Sequence, residues 1–173
     1  MEKNSYIYEL DLDLNIEYLK EMVLDNLVDG NVKSAPHHRL VKDNAYLTEI
    51  KNKFPFLSPI FNVYQFPGGK GLPVHIDGNR FCAVNIPLYN TENSSTIFYD
   101  MDDDAQLEYD DRLILSRVKG SLTETFRFTL TRPTLINNSK PHSVINTGTD
   151  TRIIISWSVL KPMTFEECVR CLQ

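Results

Sequence analysis

From Ile60 onward the chain is broken into short apolar runs separated by turn residues, and this punctuation constrains the fold more than any other feature. Strands are expected at about 60–66, 72–77, 80–89, 95–101, 112–118, 124–130, 133–137, 142–147 and 151–160. So many short strands protect their edges best by curling into two facing sheets, which predicts a jelly roll or two-sheet barrel. The front of the chain has a different texture. Tyr6, Tyr8, Leu10, Leu12 and Leu14 alternate with Glu9, Asp11 and Asp13, the period of a half-buried strand. Asn15 can cap a helix carrying Ile16, Leu19, Val23 and Leu27 up to Gly30. After a loop from Asn31 to Arg39, Asp43 or Asn44 can cap a second helix through Tyr46, Leu47 and Ile50, stopped by Phe54-Pro55. The expected class is therefore mainly β (α+β), with N-terminal helices packed on one sheet of a jelly-roll core at about 60–160. Its 173 residues fit one domain spanning 1–173.

Charge and cysteine content narrow the function classes. A formal charge of −5 and a pI near 5.3 offer no attractive field to a phosphate backbone, so nucleic acid is disfavoured as a partner. The amino terminus has no basic region followed by an apolar run, and no stretch of about 18 apolar residues occurs, so no membrane role and a cytoplasmic location are expected. Cys82, Cys168 and Cys171 are odd in number, with one inside an apolar strand, a poor disulfide framework that fits a reducing compartment. Cys168-Val-Arg-Cys171 has zinc half-site spacing, but no second pair accompanies it, and two thiols on a terminal helical turn is the favoured reading. Gly68-Gly-Lys-Gly71 is expected to be a turn, since no helix with Lys-Ser/Thr follows. The acidic stretches Asp100 to Asp104 and Glu108 to Asp111 are expected to form a solvated loop, because the spacing lacks the glycine of a calcium-binding loop. His37-His38 is read as an exposed polar pair.

The chemistry concentrates in Leu72-Pro-Val-His75-Ile-Asp77-Gly78-Asn-Arg80 and, far downstream, in Pro141-His142-Ser and Thr151-Arg152-Ile-Ile-Ile-Ser156. Residues two apart on a strand share a face, so His75 and Asp77 present an imidazole and a carboxylate together. His142, brought in by the fold, completes three donors. Two histidines and a carboxylate on one face of an octahedron leave three positions open, a donor set suited to iron(II) and oxygen chemistry. Arg152, ten residues beyond His142 on the next strand, can grip a carboxylate through two parallel hydrogen bonds.

Taken with Asn62-Val-Tyr64 and the Asn85-Ile-Pro-Leu strand, the segment from about Ile60 to Leu160 resembles the double-stranded β-helix of the iron(II)- and 2-oxoglutarate-dependent oxygenases. The Pro-His-Ser-Val and Asn-Ile-Pro-Leu segments are most similar to the aspartyl/asparaginyl β-hydroxylase and prolyl-hydroxylase-like branches. Asp77 departs from the former, which lack the carboxylate, and Ile154 stands where many superfamily members carry serine, with Ser156 one step further along that face. The resemblance implies that His75, Asp77 and His142 bind Fe(II) and form the catalytic centre. It further implies that Arg152 pairs with the distal carboxylate of 2-oxoglutarate, that Tyr64 and Asn62 hydrogen-bond that cosubstrate, and that Asn85 and Ser156 belong to the same pocket. The implied reaction consumes O2 and 2-oxoglutarate, releases succinate and carbon dioxide, and hydroxylates a prime substrate.

Pro73, Phe81 and Phe98 are candidate apolar walls, and Ser34 to Asn44 with Tyr99 to Arg112 are candidate pocket loops. The prime substrate is unidentified, a protein side chain or a small metabolite being favoured over a modified base. Two other readings stand beside this one. A non-catalytic jelly-roll binding or structural protein would carry the triad as a vestige, and a metalloenzyme without 2-oxoglutarate would leave Arg152 unexplained.

Overall fold

The computed structural model describes residues 4–26, 38–40, 45–78, 80–111, 114–159 and 163–173. Within them the chain runs β1 (Ile7–Glu9), α1 (Ile16–Asn26), β2 (His38–Leu40), α2 (Ala45–Lys53), β3 (Leu57–Phe66), β4 (Gly71–Asp77), β5 (Cys82–Tyr89) and β6 (Ser94–Met101). It continues through β7 (Gln106–Asp110), β8 (Leu115–Lys119), β9 (Leu122–Phe128), β10 (Thr134–Asn137), β11 (His142–Asn146), β12 (Arg152–Val159) and α3 (Phe165–Leu172). The strands make two antiparallel sheets of six, ordered β1-β10-β5-β12-β3-β2 and β7-β8-β4-β11-β6-β9. From β3 to β6 and again from β9 to β12 the chain crosses between the sheets, so its two halves wind together as a double-stranded β-helix. The mainly β class and the jelly-roll core expected from the sequence are both present.

The first sheet separates two environments. Val84, Ile86 and Leu88 of β5, Leu135 of β10, Ile155 and Trp157 of β12 and Val63 of β3 face the helices, where Leu19 and Val23 of α1, Ile50 of α2 and Phe165 of α3 cover them. Each such side chain removed from water contributes about 1.5–3 kcal/mol, so this layer is the principal source of stability. The helices lie on the first sheet as expected, α1 against β5 and α2 against β3. Asn15 caps α1 by accepting from the Tyr18 N–H at 3.0 Å. Leu27 to Gly30, Asp43, Asn44, His37 and most of the 34–44 loop lie outside the described residues. The opposite face of the same sheet carries Arg152, Ile154 and Ser156 of β12, flanked in register by Phe66, Tyr64 and Asn62 of β3.

Between the sheets, one half of the interior is filled and the other is not. Phe98, Phe126 and Phe128 form a ring cluster on the second sheet, and Tyr6 stacks on Phe126 with centroids 5.3 Å apart and planes 8° from parallel. The unfilled half is lined by histidines, asparagines and arginines, and the candidate site lies there.

Three expectations need correction. The alternation from Tyr6 to Leu14 gives a ladder only over Ile7–Glu9, because the next residue opposite β1 is Pro133, which has no N–H to donate. Its period survives in burial, with Leu10, Leu12 and Leu14 covered and Asp11 and Asp13 exposed. The 31–39 loop ends in β2, whose three residues pair with the edge of β3 and are too few to show a period. The acidic loop contains β7, which pairs with β8 although its residues are almost all exposed, so no apolar alternation marks it. Its acids serve the turns: the Asp104 carboxylate accepts from the Ser121 N–H at 3.1 Å and Oγ at 3.0 Å, and Glu108 pairs with Lys119. The Gly68–Gly71 segment is the expected turn between β3 and β4. Gly69 has φ +68°, and a Cβ on Gly68 would sit 2.1 Å from the Thr149 carbonyl oxygen.

Candidate metal centre

Strands β4 and β11 are adjacent and antiparallel, with His75 directly opposite His142. The next pair in the ladder is Leu72 with Val144, so β4 holds one more residue than β11 between them and bulges at Pro73-Val74. Pro73 suits a bulge because it has no N–H for the ladder. As a result Leu72 and His75, three apart, both face the cavity.

Both imidazoles are buried, with ring centroids 4.3 Å apart. His75 Nδ1 lies 2.8 Å from the Pro73 carbonyl oxygen and His142 Nδ1 lies 2.9 Å from that of Lys140. A carbonyl only accepts, so each Nδ1 carries the proton and each Nε2 keeps its lone pair for a ligand. Burial, reinforced by the neighbouring His142, pushes His75 down to about 4, and burial lowers His142 as well. Both rings are therefore neutral at physiological pH, the form that binds metals. Phe98, fully buried, lies 5.8 Å from the His142 ring but packs in the cluster with Phe126 and Phe128 and is not among the residues that line the cavity. Pro73 and Phe81 are exposed instead.

Asp77 Oδ1 lies 3.6 Å from His75 Nε2, and one donor atom from each of His75, Asp77 and His142 falls within 4.8 Å of the others. No other such group of three occurs among the described residues. The second carboxylate oxygen, Oδ2, accepts from Arg80 Nε at 2.7 Å. Burial alone would raise the Asp77 carboxyl, but Arg80 and the two histidines outweigh it and hold the group below the ordinary range, ionised at neutral pH. Arg80 closes the stretch in which the sequence concentrates the chemistry, but its hold on Asp77 is not read from the sequence. It also donates from Nη1 to Ser156 Oγ at 3.0 Å and lies over the Tyr64 ring at 5.3 Å, tying the second sheet to the first. An arginine three residues past His-x-Asp was the available signal, and only the turn after β4 brings it back onto the carboxylate.

The space in front of these residues is a cavity of about 50 Å³, partly open to solvent, lined by His75, His142, Tyr64, Asn85, Arg152 and Ser156 among others. Asn62 shares their row in register with Ser156 but is not among the lining residues. Arg152 is 1% exposed, and its Nε and Nη1 have no hydrogen-bond partner among the described residues. Its guanidinium lies 5.2 Å from the Phe66 ring, and burial brings its pKa down from 12.5 to about 10. Asn85 Oδ1 is likewise buried without a partner. The two arginines thus differ: the half-buried Arg80 is engaged by carboxylate and hydroxyl, while the buried Arg152 keeps donors unused in the cavity.

Comparison with known proteins places the fold. A prolyl-4-hydroxylase from Pseudomonas putida matches with a TM-score of 0.52 at 10% identity, over 91% of this chain and 94% of that one. An uncharacterized conserved protein with a double-stranded β-helix domain from Klebsiella pneumoniae matches with a TM-score of 0.40 at 10% identity, over 80% and 88% of the two chains. The cupin domain of Cnp3 from Schizosaccharomyces pombe matches at 0.36 and 12%, over 82% and 70%. At such identity the likeness is one of fold, the double-stranded β-helix. No family model and no curated protein matches the chain. No helix among the described residues is long and apolar enough to cross a membrane.

Proposed function

We propose that this protein is an iron(II)- and 2-oxoglutarate-dependent oxygenase that hydroxylates a prime substrate. The observation that carries the reading is Arg152, a buried guanidinium with unused donors in the cavity that His75 and His142 also line. A buried charge without a partner is costly, and a dicarboxylate whose other end lies at the metal donors would supply the missing anion. The donor set fits as well: two neutral imidazoles and an ionised carboxylate, a combination suited to iron(II) with positions left open.

Bound there, iron(II) and 2-oxoglutarate would supply the activation of dioxygen, the cosubstrate leaving as succinate and carbon dioxide. The chain's own residues bind and orient. Backbone carbonyls of Pro73 and Lys140 fix both imidazoles with Nε2 toward the cavity, and Arg80 holds Asp77 by the oxygen turned away from His75. Arg152 and Phe66, both in the cavity wall, would receive the distal carboxylate, while Tyr64, Asn85 and Ser156 of the same wall offer polar atoms. Phe98 excludes water behind His142.

The test is metal analysis and succinate release on wild type, His75→Ala and His142→Ala. Stoichiometric iron with oxygen-dependent succinate formation is expected in the wild type, and loss of most iron in either variant. Full iron content in both variants would overturn the triad assignment, and absence of 2-oxoglutarate turnover in iron-loaded wild type would overturn the oxygenase reading.

A further inference from the structure

β7 and β8 form a hairpin inserted between β6 and β9. Through β8 it extends the second sheet beyond β4, with Arg117 opposite His75 and Leu115 opposite Asp77. β7 is the edge strand: one side pairs with β8, and the other meets no strand among the described residues. Leu107 and Tyr109 alternate on one face of β7 and are 54% and 61% exposed, and Ile114 in the turn is 44% exposed. Together with Met101 they are four of the seven exposed large hydrophobics among the described residues, gathered in a small part of the chain. The same stretch, 100–119, holds seven carboxylates against three basic residues, so it accounts for four of the chain's five net negative charges. Glu108 and Asp110 pair with Lys119 and Arg117, whereas Asp100, Asp103 and Asp111 of the same stretch are exposed. The hairpin adjoins the metal donors: the Ile114 carbonyl accepts from the Gly78 N–H at 3.0 Å, directly after Asp77, and the Tyr109 ring reaches 3.4 Å from where a Gly78 Cβ would stand.

We propose that the β7 edge docks an extended, basic segment of polypeptide as an added strand, with apolar side chains on Leu107 and Tyr109 and lysines or arginines among Asp100, Asp103 and Asp111. That the segment belongs to the prime substrate rests on the oxygenase reading above. An open edge offers a row of backbone donors and acceptors, alternate side chains give specificity, and the acids select the sign of the partner. A nucleic acid or an anionic membrane would be repelled by the same carboxylates, and a second copy would set two net-negative hairpins against each other. A small polycation would neutralise the acids but leave the apolar residues and the open edge unused. With strands about 4.8 Å apart, an added strand lies about 14 Å from β4, so it anchors the substrate rather than presenting the reacting residue. At about 3.3 Å per residue the reacting side chain should lie four or more residues along the chain from the docked segment.

The test uses the metal-free protein and a peptide of about ten residues alternating lysine with valine, with a glutamate-for-lysine version and spermine as controls. Binding is followed by fluorescence anisotropy at two salt concentrations, and the location by amide hydrogen exchange. Expected are salt-sensitive binding of the lysine peptide, protection of the β7 amides, and at least a tenfold loss of affinity in both L107S/Y109S and D100N/D103N/D111N, whose substituted side chains are exposed. Equal binding of the glutamate peptide, complete displacement by spermine, or unprotected β7 amides would overturn the proposal. So would a dimer in sedimentation that L107S/Y109S dissolves, since a second copy would then own the edge. Peptide docking without any succinate formation by the iron-loaded protein would leave the docking edge standing and remove the oxygenase reading, and the reverse result would do the opposite.

Discussion

Replacing Arg152 with methionine should make the ligand-free protein more stable while removing its response to 2-oxoglutarate. Most large-to-small changes at a position only 1% exposed destabilise, so the expected sign is diagnostic. Burial takes the guanidinium from 12.5 to about 10, and at 1.36 kcal/mol per unit that is a cost of roughly 3 kcal/mol to the charged folded state. The sign follows from linkage. The folded value lies below the unfolded one, so the whole cost is present at neutral pH and would be relieved only as pH climbs from about 10 toward 12.5. Against this, methionine gives up the guanidinium contact with the Phe66 ring and leaves a small void, together about 1–2 kcal/mol. The net gain is about 1–2 kcal/mol, or roughly 2–5 °C in Tm for a protein of this size. In the metal-loaded wild type, 2-oxoglutarate should raise the unfolding free energy by mass action, and in Arg152→Met its affinity should fall by about 1.5–3 kcal/mol, some ten- to 150-fold. Urea unfolding of both proteins, under anaerobic iron(II) with and without 2-oxoglutarate, measures both quantities. A variant less stable than the wild type without ligand, yet equally stabilised by 2-oxoglutarate, would refute the reasoning, because Arg152 would then be satisfied within the protein.

Acid should destabilise the metal-free protein. His75 is lowered from 6.5 to about 4 by burial and by His142, so the unfolded chain binds the extra proton between those values and stability is lost as pH falls through that window, by roughly 3 kcal/mol for this residue. Urea midpoints that stay level from pH 7 to pH 4 would contradict it. Arg80→Leu should cost about 3–5 kcal/mol, since it leaves the Asp77 carboxylate buried without the guanidinium now 2.7 Å away and releases Ser156 as well. A denaturation midpoint within error of the wild type would show that the pair is energetically idle.

Much of the fold is legible locally because periodicity is a local property. The short apolar runs of β5, β10 and β12, the helical spacing of Ile16, Leu19 and Val23, and the Asn15 cap are each written in a few neighbouring residues. The shared face of His75 and Asp77 follows from strand geometry alone, and Arg152 could be singled out as a cation on the same face as Ile154 and Ser156. Asn62 shows the limit of that reasoning: its register with Ser156 puts it in the right row, while the cavity's outline, set by side chains from both sheets, leaves it out.

What the sequence determined by itself was therefore the apolar strands of the core and the chemistry each one could carry, since backbone pleat and side-chain type need no distant partner. Tertiary structure alone decided which strands become neighbours. It placed His142 opposite His75, and it set the bulge at Pro73-Val74 that turns Leu72 and His75 to the same side. It folded Arg80 back onto Asp77 and left Arg152 with unused donors in the wall of the cavity. It also made strands of β2 and β7, whose ordering comes from hydrogen bonds to β3 and β8 and not from any apolar pattern of their own. Ladders, bulges and burial depend on groups far apart in the chain, and the energy that orders them appears only when both partners are present.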